Sequence, residues 1–260
     1  MFSCHANILI GVEEIHMENN DRILNLAGKW FVKTVVASHI KNTKKLISYK
    51  EFNVNPFLTP YLSVFLKGEL SERGVAEALV LPRALQTSIA TSFGTHMQHF
   101  ISEVLSDAYP SVVSGLDIEF DDQLDGRKKY SQVKSGPNTI NADDVETIHN
   151  HFNSIRQLAK TNRLSIQLND LVVGVIYGNE RELSPHYKIL RDKYNYTVEV
   201  GKDFWVRVTG DELFFEKLIG VIVEETKSLD VENILEEVIE GLSKTPEIKL
   251  LVNNLKISKI

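Results

Sequence analysis

Four polar side chains in the middle of the chain have the types and the spacing of a phosphodiester-cleaving site. Asp117 and Glu119 lie two residues apart in Gly-Leu-Asp-Ile-Glu-Phe, and Gln132 and Lys134 lie two residues apart in Tyr-Ser-Gln-Val-Lys. Mg²⁺ binds through one or two carboxylates together with phosphate and water oxygens. A nearby lysine can orient the attacking water and offset developing charge. The set predicts metal-assisted hydrolysis, with a surface hairpin of solvated charges as the alternative.

Two paired strands would bring these four side chains to one face of a sheet. Residues two apart in a strand point to the same side, so Asp117 and Glu119 share a face while Ile118 points to the core. The charged segment 121–127 indicates a hairpin connection. The returning strand over 128–134 places three polar side chains on one face: Tyr130, Gln132 and Lys134.

These segments, followed by Lys-Ser-Gly-Pro-Asn-Thr-Ile-Asn at 134–141, resemble the core of the PD-(D/E)xK nuclease superfamily. More narrowly, they resemble a group of type II restriction endonucleases that carry Lys-Ser-Gly-Pro-Asn after the catalytic lysine. The resemblance runs from about Thr91 to Gly210, nearly half of the chain. It implies that Asp117 binds the metal, that Lys134 is the catalytic lysine and that the Val133 carbonyl is a further metal ligand. It also implies Mg²⁺ as the cofactor.

The position two residues before the lysine departs from this pattern. It holds Gln132, where such nucleases usually have Glu or Asp. A neutral amide offers an oxygen to a metal but brings no charge. The missing carboxylate is expected from Glu119, on the matching face, or from Glu103, because related nucleases often carry an acid on the helix before the catalytic strand. A weakened site is the remaining alternative.

Polar side chains around the hairpin are candidates for binding DNA phosphates. The loop after Lys134 offers backbone amides and three side chains to a phosphate: Ser135, Asn138 and Asn141. Asn141, with Asp144 three residues later, also resembles the N-cap of a helix. Arg127 and Lys128 belong to a basic cluster that adjoins the hairpin.

His149-Asn150-His151 spells the letters of another nuclease motif. Two histidines two residues apart on a helix point to different sides, and the strand-and-loop context of that motif is absent. We interpret the match as accidental.

Hydrophobic periodicity predicts the remaining elements. Helices are expected over 22–46, from Asn55 to Gly68, over 74–81 with Pro82 opening the next piece, over 141–158, over 211–226 and over 231–242 with Asp230 as a cap; strands over 171–177, 196–200 and 205–208; and a mixed tail over 248–260. The apolar run 171–177 is typical of a strand buried on both faces, and the strand, helix, strand order implies a parallel neighbour.

The predicted fold is therefore α/β, a restriction-endonuclease-like mixed central sheet flanked by helices. The expected domains are a helical N-terminal region over 1–90, a catalytic core over 91–210 and a helical C-terminal cap over 211–260. The N-terminal region is expected to clamp DNA or to form a dimer.

Composition limits the function classes only loosely. The net charge of −6 counts mildly against nucleic-acid binding, but a basic cleft can lie on an acidic body. The one cysteine, Cys4, excludes a disulfide within the chain, which fits a reducing compartment. The apolar run 8–12 is short and follows no basic residue, so we expect neither a signal peptide nor a membrane span, and a cytoplasmic protein.

The resemblance implies sequence-specific, Mg²⁺-dependent cleavage of double-stranded DNA that leaves 5′-phosphate and 3′-hydroxyl ends. A homodimer is expected, because a two-fold protein matches a palindromic site, together with a cognate DNA methyltransferase in the host. Some similar enzymes read interrupted palindromes of the GGNCC kind. The alternatives are a repair or recombination nuclease of the same superfamily and a catalytically inactive DNA-binding module, which Gln132 keeps open.

Overall fold

Four short strands form one mixed sheet in the computed structural model, which describes residues 19–111, 113–163, 165–229, 231 and 233–257. The strands follow the order β1-β2-β3-β4 across the sheet, with bounds Ile118–Asp121 (β1), Lys128–Lys134 (β2), Leu171–Val175 (β3) and Thr197–Val200 (β4). β1 pairs with β2 in antiparallel fashion, and β2 with β3 and β3 with β4 in parallel. The predicted α/β class with a mixed sheet and flanking helices is confirmed.

Helices account for most of the remaining described chain. The α-helices span residues 19–30 (α1), Ala37–Lys45 (α2), Leu58–Lys67 (α3), Glu72–Pro82 (α4), Ile89–Phe100 (α5), Ser106–Ala108 (α6), Ala142–Thr161 (α7), Pro185–Asp192 (α8), Lys202–Thr209 (α9), Phe214–Lys227 (α10), Ile234–Ser243 (α11) and Pro246–Ile257 (α12). Three π-helical segments join some of them: Phe31–Val36, Arg83–Ser88 and Ile101–Leu105. Short 3₁₀ turns lie at Tyr49–Glu51, Leu168–Asp170 and Glu180–Glu182. None of the helices in these ranges is long and apolar enough to cross a membrane.

The chain divides into two compact units. The first contains the described residues up to Trp30 and Met97–Glu224, and it includes the whole sheet. The second contains Phe31–His96 and the chain from Glu225 onward. Each unit has its own hydrophobic core.

The core of the first unit is built on β3. All five residues of β3 are buried, as its continuous apolar run predicts. α7 begins with a capping box, in which the Asn141 side chain accepts from the Asp144 N–H and the Asp144 side chain accepts from the Asn141 N–H. The inward face of α7 then packs into the same cluster as the sheet residues: Val145, Ile148, Phe152 and Ile155 with Leu171, Val173 and Val175.

The core of the second unit is helical. Buried side chains from α4, α11 and α12 form one cluster, which includes Val75, Val80, Leu242, Ile248 and Val252. The prediction of a mixed C-terminal tail from residue 248 is therefore wrong. Ile248 and Val252 belong to helix α12, where they lie one turn apart on its buried side.

Two further predictions are corrected by the structure. The strand predicted over 205–208 is helix α9, whose buried residues Phe204, Trp205 and Val208 recur at helical spacing. Pro82 does not open a new piece but lies inside α4, directly before the π-helical segment Arg83–Ser88. Proline lacks the N–H that would donate to the helix, so Pro82 interrupts the regular α-helical hydrogen bonding at the end of α4. The predicted cap Asp230 lies outside the described residues.

A buried network of charges closes the turn end of the hairpin in the first unit. The Lys129 ammonium is almost completely buried and lies 2.5 Å from Asp125, 3.3 Å from Asp170 and 3.8 Å from Asp122. Arg127 binds the Asp170 carboxylate through two nitrogens. Burial alone raises the pKa of Asp170, but hydrogen bonds from Arg127, the Gln167 N–H and Lys129 outweigh it and hold the pKa at about 2.

Asp170→Asn is expected to lower the free energy of unfolding at pH 7 by about 3 kcal/mol, because it removes one partner from a buried ion pair. The folded pKa of about 2 lies below the ordinary value of 3.8. The stabilisation is therefore complete above about pH 4 and is lost as the pH falls toward 2. Urea unfolding at pH 7 and at pH 3 measures both effects, and the difference between wild type and variant should shrink at pH 3.

The matched control is Glu180→Gln, which removes one partner of an exposed ion pair with Arg191. Exposed pairs contribute about 0–1 kcal/mol, so this variant should unfold almost as the wild type does. Equal losses in the two variants would contradict a structural role for the Asp170 network.

Candidate active site

The pairing of β1 with β2 brings four of the predicted site residues together: Asp117, Gln132, Val133 and Lys134. Asp117 directly precedes β1, and its backbone N–H donates to the Ser131 carbonyl at 3.0 Å. Its Oδ2 atom accepts a hydrogen bond of 2.7 Å from the Val133 backbone N–H. Val133 lies between Gln132 and Lys134 on β2, so the Asp117 carboxylate is held against the strand segment that carries both side chains.

The environment of Asp117 is partly desolvated. Burial raises its pKa, while the hydrogen bond from Val133 and the positive charge of Lys134 act in the opposite direction. The Lys134 side chain is about one-fifth exposed, and its ammonium lies 3.9 Å from Asp144 Oδ1, near the N-terminus of α7. The site therefore combines a sheltered carboxylate with an ammonium that can still reach a ligand.

Gln132 is buried, and its amide has a defined orientation. Its Nε2 atom donates to the Gly115 carbonyl at 2.5 Å and lies 2.6 Å from His151 Nδ1. Its Oε1 atom is buried and has no hydrogen-bond partner within the described part of the chain. A buried polar atom without a partner costs roughly 1–3 kcal/mol, so this oxygen is suited to a ligand that the protein alone does not provide.

The two other predicted carboxylates, Glu119 and Glu103, lie in different surroundings from Asp117. Glu119 shares the strand face as predicted, but it forms an ion pair of 3.1 Å with Lys128 and accepts from the Ser111 hydroxyl at 2.9 Å. Glu103 is an exposed residue of the π-helical segment Ile101–Leu105. No group of three or more His, Cys, Asp or Glu side chains suited to a metal occurs among the residues that the structure describes.

The donors at Asp117 are compatible with Mg²⁺. This ion keeps several waters and binds proteins through as few as one carboxylate, with substrate phosphate as a further ligand. Asp117 supplies the carboxylate, and Gln132 Oε1 is an oxygen that has no hydrogen-bond partner among the residues described.

The loop after β2 is anchored at its backbone. The Gly136 carbonyl accepts from the Tyr187 hydroxyl at 2.8 Å, and the Pro137 carbonyl accepts from the Ser184 N–H at 3.0 Å. Ser135 is buried, whereas Asn138 is exposed. The exposed part of this loop is thus held in place beside Lys134.

The basic residues of the hairpin are engaged within the chain. Arg127 binds Asp170, and Lys128 pairs with Glu119 while its side chain remains 54% exposed. Of the two, Lys128 is therefore the more accessible to a phosphate.

The two histidines of the predicted accidental motif lie in different surroundings. His149 stacks on Tyr194 with ring centroids 3.9 Å apart, and its Nδ1 atom lies 2.8 Å from the Tyr196 hydroxyl. His151 contacts Gln132 instead. The sequence analysis did not identify His151 as a site residue, since no local pattern links it to a strand 19 residues earlier.

Comparison with known proteins identifies a family that matches this chain. The family model described as Type II restriction endonuclease EcoO109I matches residues 32–230, which is well over half of the chain and includes every residue of the candidate site. No curated protein matches the chain.

Replacing Asn141 should reduce the free energy of unfolding more than replacing Asn138, because Asn141 caps a helix and Asn138 lies on the exposed loop surface. Asn141→Ala removes the N-cap of α7 and is expected to lower the free energy of unfolding by about 1 kcal/mol. Asn138→Ala changes an exposed side chain and should stay within about 0.5 kcal/mol of wild type. Urea unfolding of both variants tests this, and equal stabilities for the two would show that the capping box contributes nothing.

Proposed function

The chain belongs to the family of type II restriction endonuclease EcoO109I, and on that premise we propose that Asp117 and Lys134 form the active site of an Mg²⁺-dependent, sequence-specific cleavage of double-stranded DNA. The predicted relationship to type II restriction endonucleases is confirmed by the family match. One observation supports the proposed site above the others. The Asp117 carboxylate is hydrogen-bonded to the backbone of β2 between Gln132 and Lys134.

In the proposed reaction, water attacks the scissile phosphorus, the bond from phosphorus to the 3′ oxygen breaks, and the products carry a 5′-phosphate and a 3′-hydroxyl. Asp117, the Gln132 amide oxygen and the Val133 carbonyl would hold Mg²⁺. The metal, when bound, supplies positive charge to the phosphate oxygens. Lys134 orients the attacking water and offsets the negative charge that develops on the phosphate.

Glu119 and Glu103, the remaining predicted carboxylates, are assigned smaller roles in metal binding. Glu119 is the second carboxylate of the strand face, and Lys128 is its partner in the free protein. Glu103 stays a candidate ligand that only the resemblance supports, because it lies exposed on its helical segment.

DNA phosphates are proposed to bind along the loop after β2 and the adjacent hairpin. Asn138 is exposed on the anchored loop, and Lys128 is exposed at the start of β2. Ser135 is proposed to act mainly through its backbone amide, since its side chain is buried. Asn141 is proposed to act by fixing the start of α7, since its side chain and its backbone N–H are both engaged in the capping box. Arg127 would have to leave Asp170 to reach a phosphate, so we assign it the smallest contribution.

Lys134→Ala and Asp117→Ala are each expected to reduce DNA cleavage by about 100-fold or more, the size of loss seen when a charge-stabilising group is removed from an active site. The measurement is digestion of unmethylated phage DNA with and without Mg²⁺, with interrupted palindromes of the GGNCC kind as the first sites to map. Discrete fragments that require Mg²⁺, Asp117 and Lys134 would support the proposal. Resistance of DNA from the native host would point to the expected methyltransferase.

Lys202→Ala is the matched control, because it removes an ammonium from an exposed pair with Glu216 in the same unit. It should cleave as the wild type does. Cleavage of branched DNA without discrete fragments would favour a repair or recombination nuclease. Binding without cleavage under any divalent metal would favour an inactive module.

We further propose a homodimer, in which two copies cut the two strands of a palindrome. Helix α3 supports this, because it places small polar residues inward and aromatic residues outward. Thr59 and Ser63 are buried, while Phe57 before the helix and Phe65 within it are 85% and 72% exposed. Exposed apolar patches of this kind mark association surfaces, and a two-fold contact uses the same patch from both copies.

The double variant Phe57→Asp/Phe65→Asp is expected to shift the protein from dimer to monomer without loss of folding, because both side chains are exposed. Sedimentation velocity measures the change, and circular dichroism checks the fold. Leu213→Asp is the control, since this leucine is also exposed but lies away from α3 in the chain. A double variant that sediments as the wild type does would exclude α3 as the dimer surface.

A further inference from the structure

Two groups from separate parts of the first unit contact the amide of Gln132. The Gly115 carbonyl lies in the segment before β1, Gln132 lies on β2, and the His151 ring lies on α7. The Gln132 nitrogen is 2.5 Å from Gly115 O and 2.6 Å from His151 Nδ1. Both hydrogens of the amide nitrogen are therefore directed to acceptors.

The two acceptors determine which end of the amide faces them. A backbone carbonyl can only accept, so the atom 2.5 Å from Gly115 O must be the amide nitrogen. The same nitrogen can only donate, so His151 Nδ1 must likewise act as the acceptor of their contact. The Gln132 oxygen is thereby turned away from both groups, and it is the buried atom that has no partner among the described residues.

Gly115 is fitted to this arrangement. Its φ of +88° lies in the left-handed region, which favours glycine. A Cβ atom at this position would also come within 2.9 Å of His151 Cγ. The segment thus requires a glycine for its backbone conformation and for the close approach of the imidazole ring.

A carboxylate in place of the Gln132 amide would not satisfy these contacts. Its second oxygen would lie where the nitrogen now lies, 2.5 Å from the Gly115 carbonyl oxygen. Two acceptors at that distance repel each other. The surroundings of residue 132 therefore select a neutral amide, which differs from what a decayed carboxylate position would show.

We propose that His151 is a positioning residue, which together with the Gly115 carbonyl orients the Gln132 amide so that its oxygen serves as a neutral ligand for the active-site Mg²⁺. This inference rests on the proposed function, because it concerns the same metal site. It assigns to His151 a role that acts through its contact with Gln132. It also explains why an amide at position 132 is compatible with activity.

The test measures binding of Mn²⁺ alone to the DNA-free protein by isothermal titration calorimetry, and cleavage as a function of Mg²⁺ concentration. Removing a group that orients a metal ligand typically weakens metal binding by about 10–100-fold. His151→Ala is expected to weaken Mn²⁺ binding by about 10-fold and to raise the Mg²⁺ concentration needed for half-maximal cleavage by a similar factor. His151→Asn should restore both, because its side-chain oxygen can accept from Gln132 in place of Nδ1.

A double-mutant cycle separates positioning from a general effect on the fold. If His151 acts through Gln132, then His151→Ala should change Mn²⁺ binding little when Gln132 is already alanine. A double variant whose loss of Mn²⁺ binding equals the sum of the two single losses would overturn the proposal. His149→Ala is the matched control on the same helix and should leave Mn²⁺ binding unchanged.

The outcome for Asp117 distinguishes failure of the inference from failure of the proposed function. If Asp117→Ala loses Mn²⁺ binding while His151→Ala binds Mn²⁺ as the wild type does, the metal site is supported and only the positioning role of His151 is excluded. If Asp117→Ala binds Mn²⁺ as the wild type does, the proposed metal site at Asp117 is excluded. Lys134→Ala should retain Mn²⁺ binding while losing cleavage. This result would show that calorimetry reports on the metal ligands and that cleavage also reports on Lys134.

Discussion

The hydrogen bond from the Val133 N–H to the Asp117 carboxylate ties the two halves of the candidate site together. Asp117 lies before β1, whereas Gln132 and Lys134 lie on β2, so their mutual distances depend on the register between these strands. A slip of one residue would reverse every side chain of β2. Lys134 would then face the core, and Lys129, which is buried in the structure, would point to the face of the sheet that carries Asp117.

The opposite face of β2 explains why Lys129 and Arg127 are engaged within the chain. Lys129 points to that face and is buried, so its ammonium needs several carboxylates around it. Asp170 serves both Lys129 and Arg127. The fold therefore uses Arg127 to balance a buried charge, although its position in the sequence suggested a phosphate contact.

Local patterns account for the parts that the sequence predicted well. The alternation at Asp117, Ile118 and Glu119 specifies the face of β1, and the Asn141–Asp144 pair specifies the start of α7. Helix α9 was missed because Phe-Trp-Val-Arg-Val-Thr has strand-forming residues. Its helical form buries Phe204 against Gly174 of β3, where a Cβ would lie 2.3 Å from the phenyl ring. Such a tertiary contact leaves no local signal.

His151 was missed for the same reason, and its contact changes the interpretation of Gln132. From the sequence, an amide at that position indicated either a replacement carboxylate elsewhere or a weakened site. In the structure, the Gly115 carbonyl and the His151 ring both accept from this amide. A site with one close carboxylate holds less negative charge, so a bound Mg²⁺ would keep more of its attraction for a DNA phosphate. In the proposed enzyme, a DNA phosphate would therefore add a further oxygen ligand to the metal that the protein holds, which couples completion of the catalytic site to its substrate.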